Sequence, residues 1–379
     1  MDCLEVRVHS LYLARELPGL SRGPSLKRAI FAHGLGLGLL ASTLAATPAN
    51  ADNPPMTFDL AATTTRAQQI AGYWLGNAKA NLLAATPYEH QVVVNASDTN
   101  ITPTPMGEPG VYAPMDGKGG PGAEEDPKHI NLPKTVGKVF FVGDDGQPHW
   151  CSGTSMSTDN RNVVATTGHC VLDVPGSAVT LNNWIFVPGY YKGKIPWGIY
   201  VGRAGYLPSA FAADLDYDYD YAFATVWSGV TITAENKLVT TSRLGDSVGG
   251  QGLAWNQKLK KVVDVFGYPA GGHPDGTPAY SGVSMQHAQG TNFRVMTGLN
   301  TDQTIAIASG FTGKGALGSS WLMGYKSERR LGYLNGISLS ASDMDWNGKF
   351  DAAVSPYFDG TTVGTFWKAR SADPTGPIL

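Results

Sequence analysis

Three stretches of the sequence carry side chains whose type and spacing suit chemistry. His169 stands in "VVATTGHCV", at the end of an apolar β-branched run and directly beside Cys170. A base that activates a nucleophile must be held still, with a carboxylate to fix its tautomer and steady the imidazolium. Candidate carboxylates alternate through "DLDYDYDYAFATV" as Asp214, Asp216, Asp218 and Asp220. In an extended chain all four would face one side and repel one another. Asp220, which leads straight into the apolar run, is therefore expected inside, and the other three in a solvated loop. Hydroxyls come from "GKGALGSSWLM", a tight glycine turn running into an apolar strand, with Ser319 and Ser320 at its end.

A further group lies in "DMDWNGKFD". Asp343, Asp345, Asn347 and Asp351 fall at the first, third, fifth and ninth places of a calcium loop, with Gly348 at the sixth. The twelfth place is Val354 rather than an acid. A polar hairpin tip built on Asn347-Gly348 accounts for the same residues. Calcium is thus one reading of this loop, and no other cofactor is called for.

The elements that must position these groups are short. Charged residues make up only 16 % of the 379, while Gly and Pro number 47 and 24. From Thr135 onward, apolar runs such as "GKVFFVG", "NWIFVPGYY", "YAFATVW", "KKVVDVFGYP" and "TIAIASG" alternate with turn residues, the pattern of an all-β sandwich or barrel pair. A turn-rich segment over Leu244–Gly252 divides this region into two similar halves. Upstream, Ile70, Trp74, Leu75, Ala78 and Leu82 recur at helical spacing between Thr65 and about Ala85, which predicts one amphipathic helix. It either packs on the body or belongs to a pro-segment. Residues 95–133, rich in Pro, Gly and acid, read as a linker.

Lys27 and Arg28, an apolar run from Ala29 to about Ala46, and the small-residue site ending at Ala51 resemble a secretory signal, with cleavage expected before Asp52. The run is short and interrupted for a membrane span, so no stable span is expected after cleavage. Cys3 leaves with the signal. An exported chain with Cys151 and Cys170 is expected to pair them, closing a loop worth about 3 kcal/mol; two buried free thiols are the alternative. A formal charge of -3 gives no electrostatic case for nucleic acid.

Taken in order, "HWCSGTS", "TTGHC", "DYAF", "GYPAGG" and "GALGSSWL" resemble the chymotrypsin-fold serine peptidases, and most closely the secreted bacterial trypsin-like and glutamyl-endopeptidase-like branch. The likeness spans roughly residues 135–367. It implies two six-stranded antiparallel β-barrels, about 135–243 and 253–367, within a peptidase domain over 135–379. Residues 52–134 would be a pro-segment or linker. The resemblance makes His169 the general base and Asp220 its orienting carboxylate. It assigns the oxyanion hole to the N–H groups of Gly315 and Leu317, and puts Leu317 where the nucleophilic serine belongs. Phe311, Thr312 and the segment from Asn335 would line the specificity pocket.

Leucine has no nucleophilic atom, and loss of the serine from such a triad costs on the order of 10⁶ in turnover. The expectation is an exported homologue that binds peptide or protein between its barrels with impaired catalysis. The alternative is an active serine endopeptidase, with Ser319 as substitute nucleophile or Leu317 as an inactivating substitution of a catalytic serine.

Overall fold

Residues 53–88, 97–98, 106–117, 131–173, 179–298 and 300–379 are described by a computed structural model. The expected signal over 1–51 and its cleavage point lie outside them. No helix among the described residues is long and apolar enough to cross a membrane.

The N-terminal part contributes β1 (Pro55–Asp59) and α1 (Thr64–Ala84). There follow β2 (Val136–Val142), β3 (Pro148–Met156), β4 (Val163–Thr166), β5 (Asn182–Pro188), β6 (Tyr200–Pro208) and β7 (Ala222–Val226). Antiparallel ladders join β2 to β3, β3 to β4, β4 to β7, β7 to β6, β6 to β5 and β5 back to β2, which closes a six-stranded barrel. Its strands are apolar on both faces because both are covered. Along β2, Phe140 packs on Trp74 of α1 with ring centroids 5.6 Å apart, while its neighbours Val139 and Phe141 join the cluster on the opposite face.

The helix predicted upstream is present but broken. Thr63 caps it by accepting the Arg66 N–H, and Ile70, Trp74, Leu75 and Leu82 are buried as the spacing requires. Between them Gly76 leaves the helical region and Asn77, Ala78 and Lys79 take positive φ. The break turns Ala78 outward, contrary to the periodicity, and brings Lys79 Nζ to 2.8 Å from the Gly193 carbonyl. Helix α1 and β1, which pairs with β6, are therefore built into the barrel.

The second half opens with β8 (Gly252–Trp255), β9 (Val262–Gly267), β10 (Gln286–Thr291), β11 (Phe293–Met296) and β12 (Thr304–Ala308). It continues through β13 (Ser320–Lys326), β14 (Leu331–Ile337), β15 (Ser340–Ser342) and β16 (Ala352–Pro356), and ends in α2 (Gly360–Arg370). One sheet runs β10-β9-β13-β14-β8 and adds residues 110–112 at its edge; the other runs β15-β16-β12-β11 and adds residues 97–98. Trp321 from the first and Ile305, Ile307 and Ala353 from the second share one buried cluster, so the sheets face each other. All ladders here are antiparallel except β8 with β14. The mostly-β, chymotrypsin-like architecture is that expected from the sequence. Helix α2 was not foreseen; Asp359 caps it in a reciprocal box with Thr362, and Phe366 packs on Phe223 of the barrel.

Candidate active site

His169 follows β4 in a short 3₁₀ turn, and Asp220 precedes β7, the strand paired with β4. That ladder brings the two together although 51 residues separate them. His169 Nδ1 lies 2.6 Å from Asp220 Oδ2, and Asp220 Oδ1 accepts the His169 backbone N–H at 3.1 Å. One carboxylate thus holds both ring and main chain, and both side chains are buried. The same ring's Nε2 is 3.5 Å from the Thr167 hydroxyl, at the limit of a hydrogen bond. Cys151 of β3 and Cys170 form a disulfide, which pins the turn beside His169. Replacing both cysteines by alanine is expected to cost about 3 kcal/mol, seen as a lower Tm in thermal unfolding; an unchanged Tm would mean that β3 and β4 already hold the turn.

The other acids of the Asp-rich stretch depart from expectation. The chain there is not extended: Ser209–Asp214 is helical and Tyr217–Tyr219 is a 3₁₀ turn, so the alternating parity is lost. Asp218 is 9 % exposed rather than solvated, and it accepts the backbone N–H groups of Asp302 and Gln303 at 2.6 and 2.8 Å. Burial pushes its carboxyl up to about 6 despite those bonds.

Gly315 to Gly318 form the turn before β13. Gly315 and Gly318 have φ of 67° and 83°. A Cβ on Gly315 would meet the Trp150 ring at 2.1 Å, and one on Gly318 would meet the Ser152 carbonyl at 2.0 Å. Only glycine satisfies both requirements at either position. The turn is fastened to β3 by Ser152, whose N–H donates to the Leu317 carbonyl at 2.7 Å and whose hydroxyl donates to the Gly315 carbonyl at 2.9 Å. Gly318 N–H donates in turn to the Ser338 carbonyl.

Leu317 is 2 % exposed and packs in the cluster that contains Cys151, Cys170, Val139 and Val164. Ser319 points elsewhere. Its Oγ is buried against the backbone of Gly267 on β9, where a Cβ would lie 1.7 Å from it, and it has no hydrogen-bond partner among the described residues. In the segment expected to line a specificity pocket, Phe311 is buried against Tyr280, and the Thr312 hydroxyl donates to the Ala270 carbonyl. Asn335 is tied to the Ala254 carbonyl.

A residue that the sequence did not single out also reaches this site. Tyr88, beyond the end of α1, places its ring centroid 6.4 Å from that of His169 in a stacked orientation. Nothing in the spacing of "AATPYEH" announces this; Tyr88 arrives by pairing of residues 86–87 with His149 and Trp150 of β3.

The acids of the proposed calcium loop are gathered, with ligand atoms of Asp343, Asp345 and Asp351 all within 4.8 Å of one another. Their oxygens already serve the loop: Asp343 accepts from Asn347 and Gly348 N–H, Asp345 from the Asn347 amide, and Asp351 from Met344 N–H. These bonds brace the tip of the hairpin between β15 and β16.

No protein-family model matches the sequence, and no curated protein matches it significantly. Among solved structures, the chain is similar to the protease Anisep from Arthrobacter nicotinovorans, with 27% sequence identity and a TM-score of 0.51 over 64% of this chain and 98% of that one. It is also similar to AL20, a thermostable serine protease from an extremophilic microorganism, with 22% identity and a TM-score of 0.51 over 63% of this chain and 98% of that one. The likeness covers nearly the whole of both proteases.

Proposed function

We propose that this chain, with the fold of the chymotrypsin-like serine proteases, is an exported homologue that binds peptide or protein between its two halves without efficient hydrolysis. The observation that carries the reading is Leu317. It occupies the glycine turn fastened to β3, in the register that the resemblance gives to the nucleophile, and its side chain is buried in the cluster that includes both cysteines. His169 and Asp220 would orient and polarise a nucleophile, but no hydroxyl stands at the head of the turn to be polarised. The Gly315 and Leu317 N–H groups need no serine side chain to stabilise an oxyanion, and such a remnant supports only about 10³ to 10⁴ over water.

Ser319 as a substitute nucleophile has little support, since its Oγ faces β9. Export is supported by the disulfide, which persists in oxidising compartments, together with the signal-like N-terminus. A fluorophosphonate probe, which marks activated serines, is expected to leave the purified protein unlabelled. Labelling that disappears in Ser319→Ala would overturn this reading in favour of an active endopeptidase.

A further inference from the structure

Residues 86–88, just beyond the end of α1, lie extended beside the site as a peptide ligand would. Thr86 and Pro87 pair in parallel with His149 and Trp150 of β3. Tyr88 N–H donates to the Trp150 carbonyl at 2.9 Å, and the Tyr88 carbonyl accepts the Gly315 N–H at 3.4 Å. Gly315 N–H is one of the two donors assigned to the oxyanion hole, so a carbonyl of the chain itself already sits on it. The ring of Tyr88 fills a nest of three others: Phe141 edge-on at 5.0 Å, His149 tilted at 5.7 Å and His169 stacked at 6.4 Å. It also packs on the cluster that holds Leu317 and both cysteines. Thr86 is fixed separately, its hydroxyl 2.9 Å from His149 Nδ1.

We infer that Thr86–Tyr88 is a built-in ligand of the cleft, and that the outside partner it competes with is an extended peptide presenting an aromatic side chain to the Phe141, His149 and His169 nest. Main-chain bonds to Trp150 and Gly315 are independent of sequence, so they supply affinity, while the nest selects the side chain. A ring suits the nest because aromatic edges and faces pair favourably at these separations. The phenol end lies in a less welcoming place. Burial raises its pKa to about 12, reinforced by the carboxylates of Asp173, Asp144, Asp145 and Asp220. An anionic tip is therefore disfavoured, and the fitting residue is a neutral aromatic.

An intramolecular ligand acts at high effective concentration, because α1 is anchored on the barrel just upstream. Trp74 Nε1 donates to the Asn183 carbonyl at 2.5 Å, and Lys79 holds Gly193. The resting protein should then bind outside peptides weakly, and emptying the nest should strengthen binding. This inference rests on the peptide-binding reading above, and two separate measurements keep the two apart.

The full-length exported chain and its Tyr88→Gly variant would be compared, with Tyr88→Ala as a second variant that keeps a more ordinary backbone. The first measurement is the rate of His169 modification by diethylpyrocarbonate, read site by site by mass spectrometry. The second is binding of a fluorescent, end-blocked peptide Ala-Thr-Pro-Tyr-Glu, and of the same peptide with Ala for Tyr. Both variants are expected to modify His169 at least about fivefold faster, as a covering segment opens. They should bind the Tyr peptide about tenfold more tightly than the unaltered protein does, with the Ala peptide about tenfold weaker than the Tyr peptide. Equal modification rates in all three proteins would overturn the claim that Tyr88 covers the site. Faster modification with no peptide bound by any protein would leave the cover standing and overturn both the ligand mimicry and the peptide-binding reading. Equal affinity for the Tyr and Ala peptides would overturn the aromatic selectivity.

Discussion

Leu317→Ser is expected to create a serine that reacts with fluorophosphonates and to raise peptide hydrolysis by at least about 10³-fold over the unaltered protein. The expectation follows from what the site already has. The His169–Asp220 contact is 2.6 Å, the turn carries its two glycines with positive φ, and Ser152 ties that turn to β3. A new hydroxyl at position 317 would therefore enter a prepared setting rather than an empty one. Two costs moderate the gain. Leu317 is 2 % exposed, so its truncation removes buried apolar volume and is expected to lower stability by about 2 to 4 kcal/mol. The Tyr88 carbonyl would still hold the Gly315 N–H, so Leu317→Ser combined with Tyr88→Gly, which removes the ring that seats this segment, should hydrolyse faster than Leu317→Ser alone. Adding Asp220→Asn to Leu317→Ser should abolish most of the gain, because the imidazole tautomer is no longer fixed. A folded Leu317→Ser protein that remains unlabelled would show that the turn is not aligned with His169.

Lys138→Met is expected to stabilise the protein on the order of 4 kcal/mol at pH 7. Lys138 lies on β2 and is 3 % exposed, with no carboxylate among the described residues at ion-pair distance. Burial lowers its pKa to about 6. Its Nζ is 3.3 Å from the Trp150 ring centroid, 4.5 Å from that of Tyr190 and 5.5 Å from that of Tyr268. Those rings favour the ammonium and offset part of the burial cost. In the unfolded chain the amine holds its proton up to a pKa near 10.5, whereas in the fold it does so only below about 6. Between those values the unfolded state binds the extra proton, so stability rises with pH across the window, and the penalty is full below it. Methionine fills a similar volume, carries no charge and suits an aromatic surround. Urea unfolding at several pH values should show the unaltered protein gaining stability from pH 6 toward 10 and the variant gaining less. Parallel curves would mean that the rings compensate the buried amine fully.

The geometry of the candidate site was legible where it depends on local boxes. "TTGHC" and "DYAF" name the ends of two strands that pair, and pairing alone places His169 against Asp220. The paired cysteines followed from residue type and spacing together with the signal-like N-terminus. What failed to show in the sequence depends on partners far along the chain. The alternation of Asp214 to Asp220 suggested one acidic face, but no alternation can reveal that residues 302 and 303 offer N–H groups to Asp218. Helical spacing carried Ala78 inward because periodicity assumes an unbroken axis, and Gly76-Asn77 break it. Tyr88 was invisible for the same reason as Asp218: its neighbours are decided by β3, not by its own segment. Helix α2 could have been found from the capping pattern of Asp359 and Thr362, a cue independent of periodicity.

The early placement of β1 has a consequence in time. Pro55 pairs with Pro208 and Asp59 with Ala204, while Gly110 pairs with Trp255 and Tyr112 with Leu253. The first-made segments thus wait for partners synthesised long after them, and each pairing closes a large loop before it is rewarded. Topologies of this kind fold slowly. If such ladders form after the transition state, they act on the return journey and slow unfolding. The N-terminal region would then set the lifetime of the folded protein, since a long-lived native state resists any protease it meets.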